Sequence, residues 1–143
     1  MFLGTHFPKL DAKGRIILPA RFREELSDGL VLTKGQDHCL VLWPRAEFDA
    51  YAGELRTQAQ ANARVRAMTR IFFSTAFDDS LDAQGRLTVP PVLREYAGLD
   101  RELTVVGADT RIEIWSTSAW DEYVAEHEAD FAELDAEGVV ALP

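Results

Sequence analysis

Two arginines hold the chemistry this sequence offers most plainly. Arg15 stands in "LDAKGRIILP" and Arg86 in "LDAQGRLTVP", each directly after a glycine and four residues after an aspartate. A guanidinium can hold phosphate or a guanine edge through two parallel hydrogen bonds, and a lysine adds a point charge. Lys9 and Lys13 lie near the first arginine, while Gln84 stands where Lys13 would be in the second stretch. Together these residue types point to a polyanion. Arg21, Arg23 and Arg94, a few residues further on, read either as ordinary solvated charges or as additional contacts.

Other chemistries find less support. Asp11 and Asp82 could in principle share a proton, as the two carboxylates of an aspartic protease do. Such enzymes carry Gly two residues after the Asp, with Ser or Thr between. Here Ala12 and Ala83 occupy the middle position, Gly comes one residue later, and the Arg after it would hold the carboxylate ionised. No catalytic residue is therefore assigned. Cys39 with the scattered His6, His38 and His127 lacks metal-ligand spacing, and no phosphate-binding glycine loop is present. Neither a metal nor a cofactor is expected.

The formal net charge of -9 argues against a nucleic-acid partner, but its distribution weakens the objection. Residues 118–143 hold eight acids and no Lys or Arg, which leaves the remainder nearly neutral. Residues 1–23 set Lys9, Lys13, Arg15, Arg21 and Arg23 against the single acid Asp11. A lone cysteine suits a reducing cytosol. The apolar runs are too short to span a membrane, and the opening "MFLGTHFPKLD" has no signal-peptide pattern, so a cytoplasmic protein is expected.

The elements that must position the arginines come in two copies. One register places Asp11, Gly14, Arg15, Pro19 and Arg23 on Asp82, Gly85, Arg86, Pro90 and Arg94. After a one-residue insertion, Trp43 and Tyr51 meet Trp115 and Tyr123. Each copy predicts a strand ending at Leu10 or Leu81, a turn made by Asp11 and Gly14 or by Asp82 and Gly85, and a strand "RIIL" or "RLTV". A short helix behind Pro19 or Pro90 follows, then two strands around a Gly-Asp turn, then a longer helix behind Pro44 or capped by Ser118. Residues 1–51 make the first unit with its following helix, 52–72 a helical linker, 73–123 the second unit, and 124–143 an acidic helix or tail. The expected class is α+β with a mainly β core. One unit is too small to close a core, so the copies should interleave about a pseudo-twofold axis.

The doubled D-x-x-G-R-[IL]-x-[LV]-P resembles the MraZ family over nearly the whole chain. That family's units are similar to AbrB-like swapped-hairpin DNA-binding domains. The resemblance implies two such units closing one barrel-like domain. It also implies a nucleoid-associated bacterial transcriptional regulator that binds double-stranded DNA at promoter repeats of the cell-division and cell-wall gene cluster. The expected assembly is a ring-like homo-oligomer, an octamer or one of similar size. Carried over by position, the DNA-facing turns are Asp11 with Arg15 and Asp82 with Arg86. A ring would repeat these weak contacts along one edge and gain from effective concentration.

Two alternatives stay open at this level. The arginines could simply bridge back to Asp11 and Asp82 as part of the turns. The assembly could be a structural or protein-interaction ring that never touches DNA, which the net charge favours. Arg64, Arg66 and Arg70 read as the wet face of the linker helix or as partners for acids across a subunit contact. Trp43 and Trp115 read as packing, and Cys39 as buried and inert.

Overall fold

The two copies complete one another's sheet. A computed structural model describes residues 1–60 and 62–133. In chain order it has β1 (Thr5–His6), β2 (Arg15–Ile17), α1 (Ala20–Arg23), β3 (Leu30–Lys34), β4 (Leu40–Pro44), α2 (Arg45–Gln58), α3 (Ala63–Ser74), β5 (Phe77–Asp79), β6 (Arg86–Thr88), α4 (Pro91–Tyr96), β7 (Leu103–Ala108), β8 (Arg111–Ser116) and α5 (Thr117–Ala132). Six strands form an antiparallel sheet in the order β1-β7-β8-β4-β3-β5, and β2 pairs with β6 in a separate ribbon. Each unit's hairpin, β3/β4 or β7/β8, is therefore flanked by the first strand of the other unit. Among the described residues no ladder joins sheet and ribbon into a closed barrel.

The pairing registers reveal the internal symmetry. In the ribbon Ile16 faces Leu87, its own counterpart in the repeat, with Arg15 opposite Thr88 and Ile17 opposite Arg86. At the seam of the large sheet Val41 faces Glu113, again its own counterpart. One pseudo-twofold axis runs through both pairs.

Alternation sends Leu32, Leu42, Val105 and Ile114 to one face of the sheet, where Ile16, Leu18, Leu87 and Val89 of the ribbon meet them. Phe22 and Leu26, with Leu93 and Ala97, close that core from the short helices. Burying each such Leu or Phe contributes about 1.5–3 kcal/mol. The opposite face carries Val41, Trp43 and Trp115, covered by Phe48 and Tyr51 of α2, Phe72 of α3, and Trp120 and Tyr123 of α5.

Several local expectations shift. The first strands end before Leu10 and Leu81. In the first unit Pro8 lacks a donor, leaving only an isolated bridge from Lys9 to Glu102. In the second, the Asp79 carboxylate accepts from Ser80 N at 2.8 Å and turns the chain. The helical linker expected over residues 52–72 is divided: α2 runs on to Gln58, and α3 begins at Ala63, because Asn62 Oδ1 accepts from Val65 N and caps it there. The cap of α5 is Ser116, which accepts from Ala119 N, rather than Ser118. The end of the acidic tail, residues 134–143, lies outside the described residues.

Candidate nucleic-acid interface

Both Asp–Gly–Arg turns are built the same way, atom for atom. Asp11 O accepts from Gly14 N at 3.0 Å, and Asp82 O accepts from Gly85 N at 2.9 Å. Asp11 Oδ1 takes Lys13 N and Arg15 N at 2.8 and 2.9 Å, while Asp82 Oδ1 takes Gln84 N and Arg86 N at 2.9 Å each. Gly14 and Gly85 close the turns at φ of +77° and +75°, where a side chain is disfavoured. The sequence reading of these four turn residues rests on that chemistry.

The arginines then reach back. Arg15 Nε donates to Asp11 Oδ2 at 2.9 Å and Arg86 Nε to Asp82 Oδ2 at 2.6 Å. The Arg15 and Arg86 backbone N–H groups, with the side-chain bonds behind them, hold both carboxyls below the usual carboxylate range. Only Nε is engaged. Among the described residues the terminal Nη amines of Arg15 and Arg86 take no hydrogen bond, so each fork is fixed in direction and open at its tip.

Their placement follows from the ribbon. Ile16 and Leu87 point into the core, so Arg15, Ile17, Arg86 and Thr88 point outward. Arg15 and Arg86 are diagonal neighbours, for which Cβ atoms stand about 7–8 Å apart. Two fixed cationic forks thus share one outer face with the exposed Ile17. Lys13 extends from the exposed tip of the first turn. Lys9 stands apart and lies 3.8 Å from Glu102, which offsets its charge.

Arg23 and Arg94 turn out to be braces. Arg23 Nε and Nη2 donate to Leu18 O at 3.1 and 2.9 Å, and Arg94 Nε donates to Val89 O at 2.9 Å. Each lies over the glycine of the other unit's turn, Arg23 against Gly85 and Arg94 against Gly14. The ribbon is clamped there too, by Leu18 N to Gly85 O and Val89 N to Gly14 O at 3.1 and 2.8 Å. The repeat register already matched Arg23 to Arg94, and that match was the signal available in the sequence.

Elsewhere, Cys39 is buried and its thiol is pushed up to about 12, chiefly by burial. Among the described residues no three His, Cys, Asp or Glu side chains are grouped to hold a metal, and no helix is long and apolar enough to cross a membrane.

Comparison with known proteins places these features in a family. The family model described as "MraZ protein, putative antitoxin-like" matches residues 1–71 and again 72–142. The chain is 54% identical over 140 residues to the "Transcriptional regulator MraZ" of Salinispora arenicola, covering 98% of each. It is 55% identical over 137 residues to the protein of that name from Parafrankia sp., covering 96% of each, and 55% over 135 residues to that of Paenarthrobacter aurescens, covering 94% of each.

Proposed function

The chain belongs to the MraZ family, and from that premise we propose that it is a sequence-specific DNA-binding transcriptional regulator. Its relatives' name supports the regulatory role. The observation that carries DNA binding is the pair of outward forks, Arg15 and Arg86, on one antiparallel ribbon. The major groove of duplex DNA admits a two-stranded ribbon, and arginine tips there can hold guanine O6 and N7 or flanking phosphates. The ribbon's pseudo-twofold suits the local dyad of the duplex. Holding each guanidinium against its own Asp reduces the ordering cost of binding.

In this reading Arg15 and Arg86 are the principal contacts, Lys13 adds charge on the first side only, and Lys9 contributes least because Glu102 competes for it. The targets are promoter repeats of the cell-division and cell-wall cluster, bound by a ring-like oligomer that presents many ribbons at once. The fold is then an AbrB-like swapped hairpin, with ribbon and sheet as the walls of a barrel-like core. The protein works in the cytoplasm, on the nucleoid.

Titration of repeat-containing promoter DNA tests this. Arg15→Ala should cost about 1–3 kcal/mol of affinity per site while native mass is unchanged. Unaltered binding by both Arg15→Ala and Arg86→Ala would refute the assignment. The acidity of α5 favours a second reading, a protein-interaction ring. Absence of DNA affinity even at low salt, with protein docking that does not weaken as salt rises, would support it.

A further inference from the structure

Arg111 stands in a cleft with its charge unanswered. It lies half-buried on the outer face of β8, and its guanidinium is 5.4 Å from the ring centre of Trp43. Its Nε is sealed from solvent and makes no hydrogen bond, and among the described residues no ion pair reaches the side chain. Glu113, two residues along on the same face, does not serve it. The Glu113 Oε1 accepts from Trp115 Nε1 at 3.3 Å, which draws that carboxylate the other way along the strand. Cys39 holds the repeat position of Arg111, so the duplication alone does not account for a guanidinium here. A buried cationic donor without an acceptor is destabilising, and an acceptor from outside the chain would relieve it.

The cleft lies between α3 and the outer face of the large sheet. Its volume is about 760 Å³, inside the roughly 300–1,000 Å³ of sites that bury small molecules. Trp43 lines it from the sheet, Tyr51 from α2 and Phe72 from α3, so aromatic rings meet on three sides. Met68 and Ile71 line it as well, and at 54% and 55% exposed they are apolar surface that an occupant would cover. Lys34, 4.9 Å from the ring centre of Tyr96, adds a second cation. The acids on the lining are Glu113, engaged by Trp115, and Asp37, which stands exposed on the turn after β3.

We propose that this cleft binds a small amphipathic anion, a flat aromatic body bearing one carboxylate. The carboxylate accepts from Arg111 Nε and the neighbouring Nη in the paired geometry that a guanidinium offers. The aromatic body lies against Trp43, Tyr51 and Phe72, whose rings favour offset or edge contacts with another ring. Trp43 already holds the guanidinium over its face, so little ordering is left for the ligand to impose. The site goes beyond the DNA reading and does not use its residues. Arg15 and Arg86 stand on the ribbon, which packs on the inner face of the sheet, whereas the cleft opens on the outer face.

Equilibrium dialysis of the full chain against cinnamate and its uncharged analogue cinnamyl alcohol tests this. Cinnamate should bind saturably, one per chain, and more tightly than the alcohol by about tenfold or more. That comparison needs no variant, so it stands whatever a substitution does to folding. Arg111→Met keeps the stem over Trp43 and removes the charge, and should bring cinnamate down to the affinity of the alcohol. Ile71→Trp, which fills the cleft from an exposed position, should weaken both probes. Absence of saturable cinnamate binding at millimolar concentration overturns the proposal, as do equal affinities of the two probes for the wild type. Undiminished binding in Arg111→Met or in Ile71→Trp overturns it too, because the probe would then sit elsewhere. Binding confined to dilutions at which single chains prevail also overturns it, since a second copy would then cover the cleft. Arg15→Ala should keep cinnamate binding while losing DNA affinity, so the two readings fail separately.

Discussion

The guanidinium of Arg23 lies across Gly85, and that of Arg94 lies across Gly14, so each unit's short helix presses on the other unit's turn. A Cβ at Gly14 would fall 3.0 Å from Arg94 Cζ, and one at Gly85 would fall within the Arg23 side chain. Gly85→Ala should therefore destabilise by more than the roughly 1–2 kcal/mol of left-handed backbone strain. Gly98 supplies the control: its φ is +60° and nothing lies within 4 Å of a Cβ there. Urea unfolding should rank Gly85→Ala well below Gly98→Ala in stability. Equal losses would show that the overlying arginine is easily displaced.

Acid should loosen the turns. Asp11 and Asp82 have depressed folded-state values, so their contribution is present above the ordinary carboxylate range, near pH 4, and is lost as pH falls through the folded values. Amide exchange at Lys13, Arg15, Gln84 and Arg86 should accelerate below about pH 4. In Asp11→Asn that acid step should vanish from Lys13 and Arg15 while remaining at Gln84 and Arg86.

The ribbon's symmetry makes a paired prediction about DNA. Arg86→Ala should weaken binding about as much as Arg15→Ala, since both forks stand on one face. Each phosphate contact removed should lower the slope of log affinity against log salt by about 1. Lys13→Gln, which makes the first turn like the second, should act mainly through that slope. A loss confined to Arg15→Ala in anisotropy titrations would show that only one turn engages.

Trp43 Nε1 donates to Thr33 Oγ1 at 2.9 Å, both buried in the β3/β4 hairpin of the first unit. Trp43→Phe should cost about 1–3 kcal/mol beyond lost packing, through the hydroxyl left without a partner. Adding Thr33→Val should recover part of that loss. Additive effects in the double-mutant cycle would mean that water satisfies the hydroxyl.

The Cys39 thiol, 2% exposed and pushed up to about 12, donates to Gln36 O at 3.3 Å. Ellman's reagent at pH 8 should leave the native protein unmodified and titrate one thiol after denaturation. Rapid native labelling would show that the strand at Leu40 opens.

Much of this was legible because repetition is local evidence seen twice. Asp, Gly and Arg at matched spacing foretold both turns, and the positive φ of Gly14 and Gly85 is what such turns require. Phe22 with Leu26, and Leu93 with Ala97, stand four residues apart, so the apolar face of each short helix follows from spacing alone. What escaped was contact between the copies. Nothing near Arg23 or Arg94 in sequence says that its partner is a turn on the other unit, so both looked like optional surface charges. Lys9 likewise looked available until β7 and its flank brought Glu102 alongside. Asn62 decides where α3 starts, since a side-chain cap overrides helix propensity over a few residues.

The exchanged edge strands have a mechanical corollary. Because β1 finishes the second hairpin and β5 finishes the first, cutting the chain between α2 and α3 would free no self-sufficient half. The two fragments would hold one another like clasped hands, each unfinished without its mate. The connecting segment is thus a leash that raises the local concentration of one partner for the other, and separately synthesised pieces should find each other and fold only together.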